Sequence, residues 1–234
     1  MDRTSRRVDE RSVWVPTGRV TLEGNLDIPP KACGVVLFAH GSGSSRHSPR
    51  NLFVAGKLQE WGLATLLIDL LTAEEEAVDA RTARLRFDIG LLAERLVGAT
   101  DWLAEAPDTR GLKVGYFGAS TGGGAALVAA AERPNVVGAV VSRGGRPDLA
   151  GPALLHVRAP TLLIVGGNDE VVIEMNREAL MQLRCEKRLE IVPGATHLFE
   201  EPGTLDEVAR LAGQWLRDHL TLAGAESSSG RSSP

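Results

Sequence analysis

The sequence predicts an α/β protein, with a mostly parallel sheet carrying helices on both faces. Three observations carry that expectation. Strand-length apolar runs alternate with helical patterns along nearly all of the 234 residues. The central runs, GVVLFAH (34–40) and LATLLIDL (63–70), are apolar almost throughout, as strands covered on both faces require. No internal repeat breaks the alternation. In such sheets ligands bind at the carboxyl ends of the strands.

Taken in order, 12–15 and 20–28 alternate apolar and polar residues and read as an antiparallel start. After the 34–40 strand, Ser48 and Pro49 supply an N-cap and a first-turn proline for a helix to about Glu60. Residues 63–70 form the next strand. A long helix is expected over about 81–105, with Leu85, Ile89, Leu92, Leu96 and Trp102 on one stripe. The strand 114–120 enters a sharp turn and a small-residue helix over 121–131. Strands at 136–142, 161–165 and 188–192 and helices at 171–183 and 204–220 complete the pattern. Residues 1–222 read as a single domain with 1–11 loose. The Ser/Gly-rich 223–234 reads as a disordered tail.

Composition narrows the function. A formal net charge of -4 leaves no basic excess for nucleic acid. The N-terminus has no apolar signal segment, and no apolar run approaches the ~20 residues of a membrane span. A cytoplasmic setting is expected, and Cys33 and Cys185 fit it as inert reduced thiols. Neither cysteine has metal-ligand spacing, so neither metal nor cofactor is expected. A homo-oligomer is left open.

Chemistry concentrates at Gly118-Ala119-Ser120-Thr121-Gly122, a G-x-S-x-G between strand and helix. A serine nucleophile raised on so tight a turn needs neighbours without side chains two residues away. Alone, the pattern is weak; VGYF before it and GGAALVAAA after it supply the required context. A serine also needs a base, and the partners follow in the order serine, acid, histidine. His197 lies in a loop directly after the last strand, and Asp169 ends the preceding strand, with Glu170 as the alternative acid. Among the other histidines, His40 ends a strand and is read as shaping the floor of the site. Backbone N–H donors for an oxyanion are expected from Thr121 and from Ser42, in the glycine-rich loop after 34–40.

FAHGSGSS, GASTGG, GGNDEVV and GATHLFEEPG together resemble the dienelactone hydrolase-like branch of the α/β-hydrolase family, in the family's order. The resemblance covers about residues 20–220 and implies an eight-stranded sheet and hydrolysis through an acyl-enzyme. Dienelactone hydrolases proper use a cysteine where this chain has Ser120. Lactone specificity therefore does not carry over, and a serine carboxylesterase acting on a small ester, with lactones also open, is the expected activity. Acyl transfer or perhydrolysis would use the same residues. Residues 144–160, interrupted by Pro147, Pro152 and Pro160, leave no room for a lid domain, and the other possible cover, 71–80, carries Glu74, Glu75 and Glu76.

Two readings compete. Gly41-Ser42-Gly43 after a strand, with Asp69 ending the next, imitates a dinucleotide fingerprint, but Arg46 replaces its third glycine. A non-catalytic binding module on the same fold would be expected to lack one of the three catalytic groups. Arg46 and Arg143 are candidate substrate-carboxylate ligands, against a plainer reading in which Arg143 pairs with Asp148 or another acid to brace its loop.

Overall fold

The computed structural model describes residues 9–221. Eight strands form one sheet in the order β1-β2-β4-β3-β5-β6-β7-β8. They are β1 (Asp9–Thr17), β2 (Val20–Ile28), β3 (Val35–Ala39), β4 (Ala64–Ile68), β5 (Val114–Ala119), β6 (Val137–Arg143), β7 (Thr161–Gly166) and β8 (Lys187–Val192). The β1–β2 and β2–β4 pairs are antiparallel, and every other pair is parallel. The helices are α1 (Pro49–Glu60), α2 (Ala73–Thr82), α3 (Ile89–Glu105), α4 (Thr121–Glu132), α5 (Glu170–Gln182) and α6 (Thr204–Leu220). The expected disordered tail at 223–234 lies outside the described residues. So does 1–8 of the stretch expected to be loose, whereas 9–11 belong to β1 and pair with Leu26–Ile28.

The central strands β3, β4, β5 and β7 are buried at every position. Alternate residues feed two cores. Leu37, Tyr116 and Val140 face the α3 and α4 side, while Phe38, Phe117 and Val141 face α1 and α6. The last helix is located by a knob in a hole: a Cβ on Gly34, Gly115 or Gly138 would meet Leu220 at 2.7, 2.8 or 2.9 Å. Three adjacent chain segments thus give up side chains so that one leucine can be seated against the sheet.

Two expectations are corrected, the 81–105 helix and the Ser48 cap. The helix expected over 81–105 is two helices. Ala83, at φ 51, ends α2, and Asp88 starts α3 by accepting from the Leu91 N–H. The stretch 71–80, the other possible cover, is mostly α2, which opens with a capping box in which Thr72 and Glu75 bond each other's backbone and lines the cavity with Glu76 and Asp79. Ser48 precedes α1 but makes no side-chain cap. No lid domain is inserted: 144–160 hold a short 3-10 segment (Pro147–His156), kinked at Gly151 and packed on α4 and α5.

Gly56 lies inside α1 with nothing within 4 Å of a Cβ built on it. Alanine there removes backbone freedom from the unfolded chain at no steric cost. Gly56→Ala is expected to stabilise the fold by about 0.5–1 kcal/mol, or roughly 1–4 °C in melting temperature. An unchanged or lowered midpoint would show that α1 is not a regular helix at this point.

Candidate active site

At the carboxyl end of β5 the chain turns into α4 through Ser120, whose φ of 50 is left-handed for a residue with a side chain. That conformation is strained. The surroundings hold it. A Cβ on Gly122 would stand 2.1 Å from the Ala39 carbonyl oxygen, and one on Gly118 would stand 2.6 Å from the Gly123 Cα. The backbone adds two ties, since the Ser120 N–H donates to the Arg143 carbonyl (3.2 Å) and the Ser120 carbonyl accepts from Arg146 (3.0 Å). From the other side a Cβ on Gly41 would lie 3.1 Å from the Ser120 Cβ, so the loop after β3 presses on the serine.

His197 sits in the loop between β8 and α6. Its Nδ1 is 2.6 Å from Asp169 Oδ2, at the end of β7. Asp169, not Glu170, therefore reaches the ring; Glu170 opens α5 with its side chain in solvent. Gly166 lets the histidine loop lie on β7, because a Cβ there would meet the Ala195 and Thr196 carbonyls at 2.5 and 2.6 Å. Glu201 closes the same loop by accepting from the Thr196 hydroxyl (2.6 Å) and N–H (3.0 Å), bonds that hold its carboxyl below the usual carboxylate range. Gly144, beside the residue that ties Ser120, abuts the imidazole: its Cβ would lie 3.5 Å from Cε1 and Nδ1. Ser120 and His197 are thus both set against the Arg143-Gly144 segment. No hydrogen bond joins them in this structure.

The two expected oxyanion donors are also adjacent. Thr121 opens α4, so its N–H has no intrahelical acceptor. The Ser42 N–H lies against it but donates to the Thr121 Oγ1 at 2.9 Å, an engagement not foreseen from the sequence. Behind them His40 is buried. Its Nε2 accepts from the Leu70 N–H (3.0 Å) and its Nδ1 faces the Gly41 carbonyl (3.0 Å), which fixes the tautomer with hydrogen on Nδ1. A cavity of about 600 Å³ opens from Gly41, Ser42 and Thr121 toward Ser44–Arg50 on one side and α2 on the other.

The candidate arginines behave differently from each other. Arg46 bonds both Asp69 and Glu23, the latter at 2.5 Å, so its guanidinium is committed to the protein and not open to a substrate. Arg143 does not pair with Asp148; Arg146 holds that carboxylate instead, at 2.7 and 2.9 Å. Arg143 is buried at 7% exposure, over the Phe199 ring at 5.7 Å, and no acceptor reaches its Nε or Nη1. Burial, then the charge of nearby Arg50, pushes its pKa down to about 10. Arg50, unnoticed in the sequence, lines the cavity from the first turn of α1. Cys33 and Cys185 are free thiols; Cys33 donates to the Gly62 carbonyl, and burial pushes Cys185 up.

Comparison with known proteins agrees with this architecture. The chain is 69% identical to a dienelactone hydrolase from Anabaena variabilis, whose crystal structure superimposes with a TM-score of 0.90 over 91% of this chain and 99% of that one. Est1E from Butyrivibrio proteoclasticus shares the fold at TM-score 0.74 and 17% identity, over 89% of this chain and 98% of that one. Mycobacterium tuberculosis proteins that carry the name phosphoribosyl transferase are 60% identical over 215 residues, or 92% of this chain. The chain spans about half of their length, 48%. The family model of the dienelactone hydrolases matches residues 22–222, and the chain belongs to the dienelactone hydrolase family.

Proposed function

We propose that this hydrolase cleaves small carboxylic esters, lactones among them, through a Ser120 acyl-enzyme. The observation that carries the reading is the strained Ser120 turn and the Asp169-held imidazole, both set against the Arg143-Gly144 segment. In this mechanism His197 takes the Ser120 proton through Nε2 as the hydroxyl attacks the ester carbonyl. Asp169 keeps hydrogen on Nδ1 and stabilises the imidazolium that forms. The Ser120–His197 bond closes when substrate fills the site, as such contacts do on forming the reactive complex. The tetrahedral oxyanion takes the Thr121 N–H and, as a stronger acceptor than a hydroxyl, draws the Ser42 N–H from Thr121 Oγ1. The imidazolium then protonates the leaving alcohol. Water, activated the same way, releases the acid.

The name carried by the Mycobacterium tuberculosis relatives is not transferred. It belongs to proteins about twice as long, whereas the hydrolase match fills the part shared with this chain.

A fluorophosphonate probe tests the mechanism. It should label the protein stoichiometrically at Ser120 and leave Ser120→Ala unlabelled. Failure to label the native chain would remove the acyl-enzyme reading.

The cavity also bears on substrate size. Its walls mix Leu70, Leu71 and Leu92 with Ser44, Ser45, His47, Arg50 and Glu76, so a long alkyl chain would meet apolar wall along only part of its length. Each further CH₂ then gains well under the ~0.8 kcal/mol of full burial. Across p-nitrophenyl esters kcat/KM should peak between acetyl and butyryl and be poor from decanoyl upward. A maximum at octanoyl or beyond would show that the cavity buries a long acyl chain.

A further inference from the structure

Resting on the hydrolase reading, we infer that the Thr121 hydroxyl is a third donor to the oxyanion, beside the Thr121 and Ser42 N–H groups. The ground is one contact and the atom it leaves over. The Ser42 N–H donates to Thr121 Oγ1 at 2.9 Å, across 79 positions of chain. A hydroxyl that accepts this bond still has one hydrogen of its own to place, and that hydrogen can turn about the C–O bond. No acceptor among the described residues takes it.

The usual outlets are closed. Thr82, Thr100 and Thr221 give their hydroxyl hydrogens to the carbonyl four residues back along their helices. Thr121 is the first residue of α4 and has no helical turn behind it. The Gly41 carbonyl already accepts from the Ser44 N–H and faces the His40 ring. The Ser120 carbonyl accepts from Gly123 and Arg146. Thr121 is only 3% exposed, yet it lines the cavity together with His40, Gly41 and Ser42. That wall adjoins the nucleophile, since a Cβ on Gly41 would lie 3.1 Å from the Ser120 Cβ. Thr121 is also the one side chain in the Thr-Gly-Gly-Gly start of α4 that can donate.

An oxyanion changes what this contact does. Once it takes the Ser42 N–H, it stands beside the Oγ1 that held that donor before. Two lone pairs sharing one N–H would repel. Rotation of the hydroxyl removes the conflict, because Oγ1–H then points at the oxyanion. The repulsion becomes an O–H···O⁻ bond, shorter and about twice as strong as a neutral one. No proton is transferred; only a torsion changes. Oγ1 is already held by the loop in a buried setting, so little reorganisation opposes the bond. The ester carbonyl of the ground state is a weaker acceptor and gains less, so the hydroxyl acts on turnover more than on binding.

The test turns on Thr121→Val, which keeps the branched shape, removes the hydroxyl and leaves the Ser42 N–H free. On p-nitrophenyl acetate kcat should fall at least ~10-fold with KM little changed, and Thr121→Ser should recover most of the loss. Acylation and deacylation both pass through an oxyanion, so kcat reports the loss whichever step limits. The matching thionoester puts sulfur, a poor acceptor, where the oxyanion forms, and the Thr121→Val penalty should shrink with it. Should Thr121→Val not fold, Thr121→Ala carries the test through the same pair of substrates. A smaller loss in kcat, or the gain expected if Oγ1 only competes for the Ser42 N–H, would overturn the assignment. So would an equal penalty on ester and thionoester, the mark of a purely structural role. In either case a native protein that cleaves the ester and labels with a fluorophosphonate keeps the hydrolase reading. A native protein that does neither loses that reading, and the third donor with it.

Discussion

Replacing Ser120 or His197 by alanine is expected to lower kcat by at least ~10³-fold, with the double variant little worse than either single one. The non-additivity is the informative part. Once the hydroxyl is gone the imidazole has no proton to take, and without the base the hydroxyl is a poor nucleophile. Binding and the Thr121 N–H survive in all three variants and leave the same residual rate. Asp169→Asn should fall by a comparable factor, because an amide facing Nδ1 at 2.6 Å favours the wrong tautomer. Glu170→Gln should stay near the native rate, since its side chain is in solvent. Steady-state kinetics on short p-nitrophenyl esters checks all five variants. Near-native turnover by Ser120→Ala, or effects that multiply in the double variant, would show that the residues do not act as one unit.

Gly122→Ala should be nearly as severe through packing alone. Its new Cβ would stand 2.1 and 2.6 Å from the carbonyl oxygens of Ala39 and His40. Both are backbone atoms of a buried strand end, so neither can rotate away. The start of α4 must retreat, and with it Ser120. We expect a loss of ~3 kcal/mol or more, at the upper end of the usual cost of overpacking. That corresponds to a fall of at least roughly 6 °C in melting temperature. In whatever fraction folds, a displacement near 1 Å at the nucleophile costs about 10²-fold in rate. Thermal denaturation and active-site titration measure the two effects separately. A variant that melts and reacts like the native protein would refute the close approach of α4 to β3.

The sequence made the nucleophile turn and the sheet legible for a physical reason. Central strands must be apolar on both faces, and a strained elbow excludes side chains from fixed positions, so each leaves a mark in a short window. The histidine loop was legible by order along the chain. What escaped depends on long-range pairing. Asp148 goes to Arg146 and not Arg143, and Arg46 goes to Glu23 and Asp69, choices that no local spacing encodes. Arg50 looked like one more polar residue at a helix start, and only its nearness to a buried Arg143 makes it notable. The break before α3 did have a local signal. Thr72 with Glu75 is a capping box and Asp88 an N-cap, but the apolar stripe through Leu85 and Ile89 masked both.

The attachment of α2 has a consequence for how the molecule opens. Of its residues only Asp79 is buried. The helix is fastened by Arg86 on Asp79 and by Arg95, which reaches Glu75 at 2.8 Å and the Thr17 carbonyl at 3.2 Å. Neighbouring α3 is anchored instead by Leu92, Leu96 and Leu103. Amide exchange with deuterated solvent would therefore occur first in α2, by an opening smaller than global unfolding. Ionic contacts weaken with added salt and apolar ones do not, so raising the salt concentration widens the gap in exchange rate between the two helices. The cavity wall opposite Arg50 is thus the part of the molecule whose cohesion the ionic medium sets.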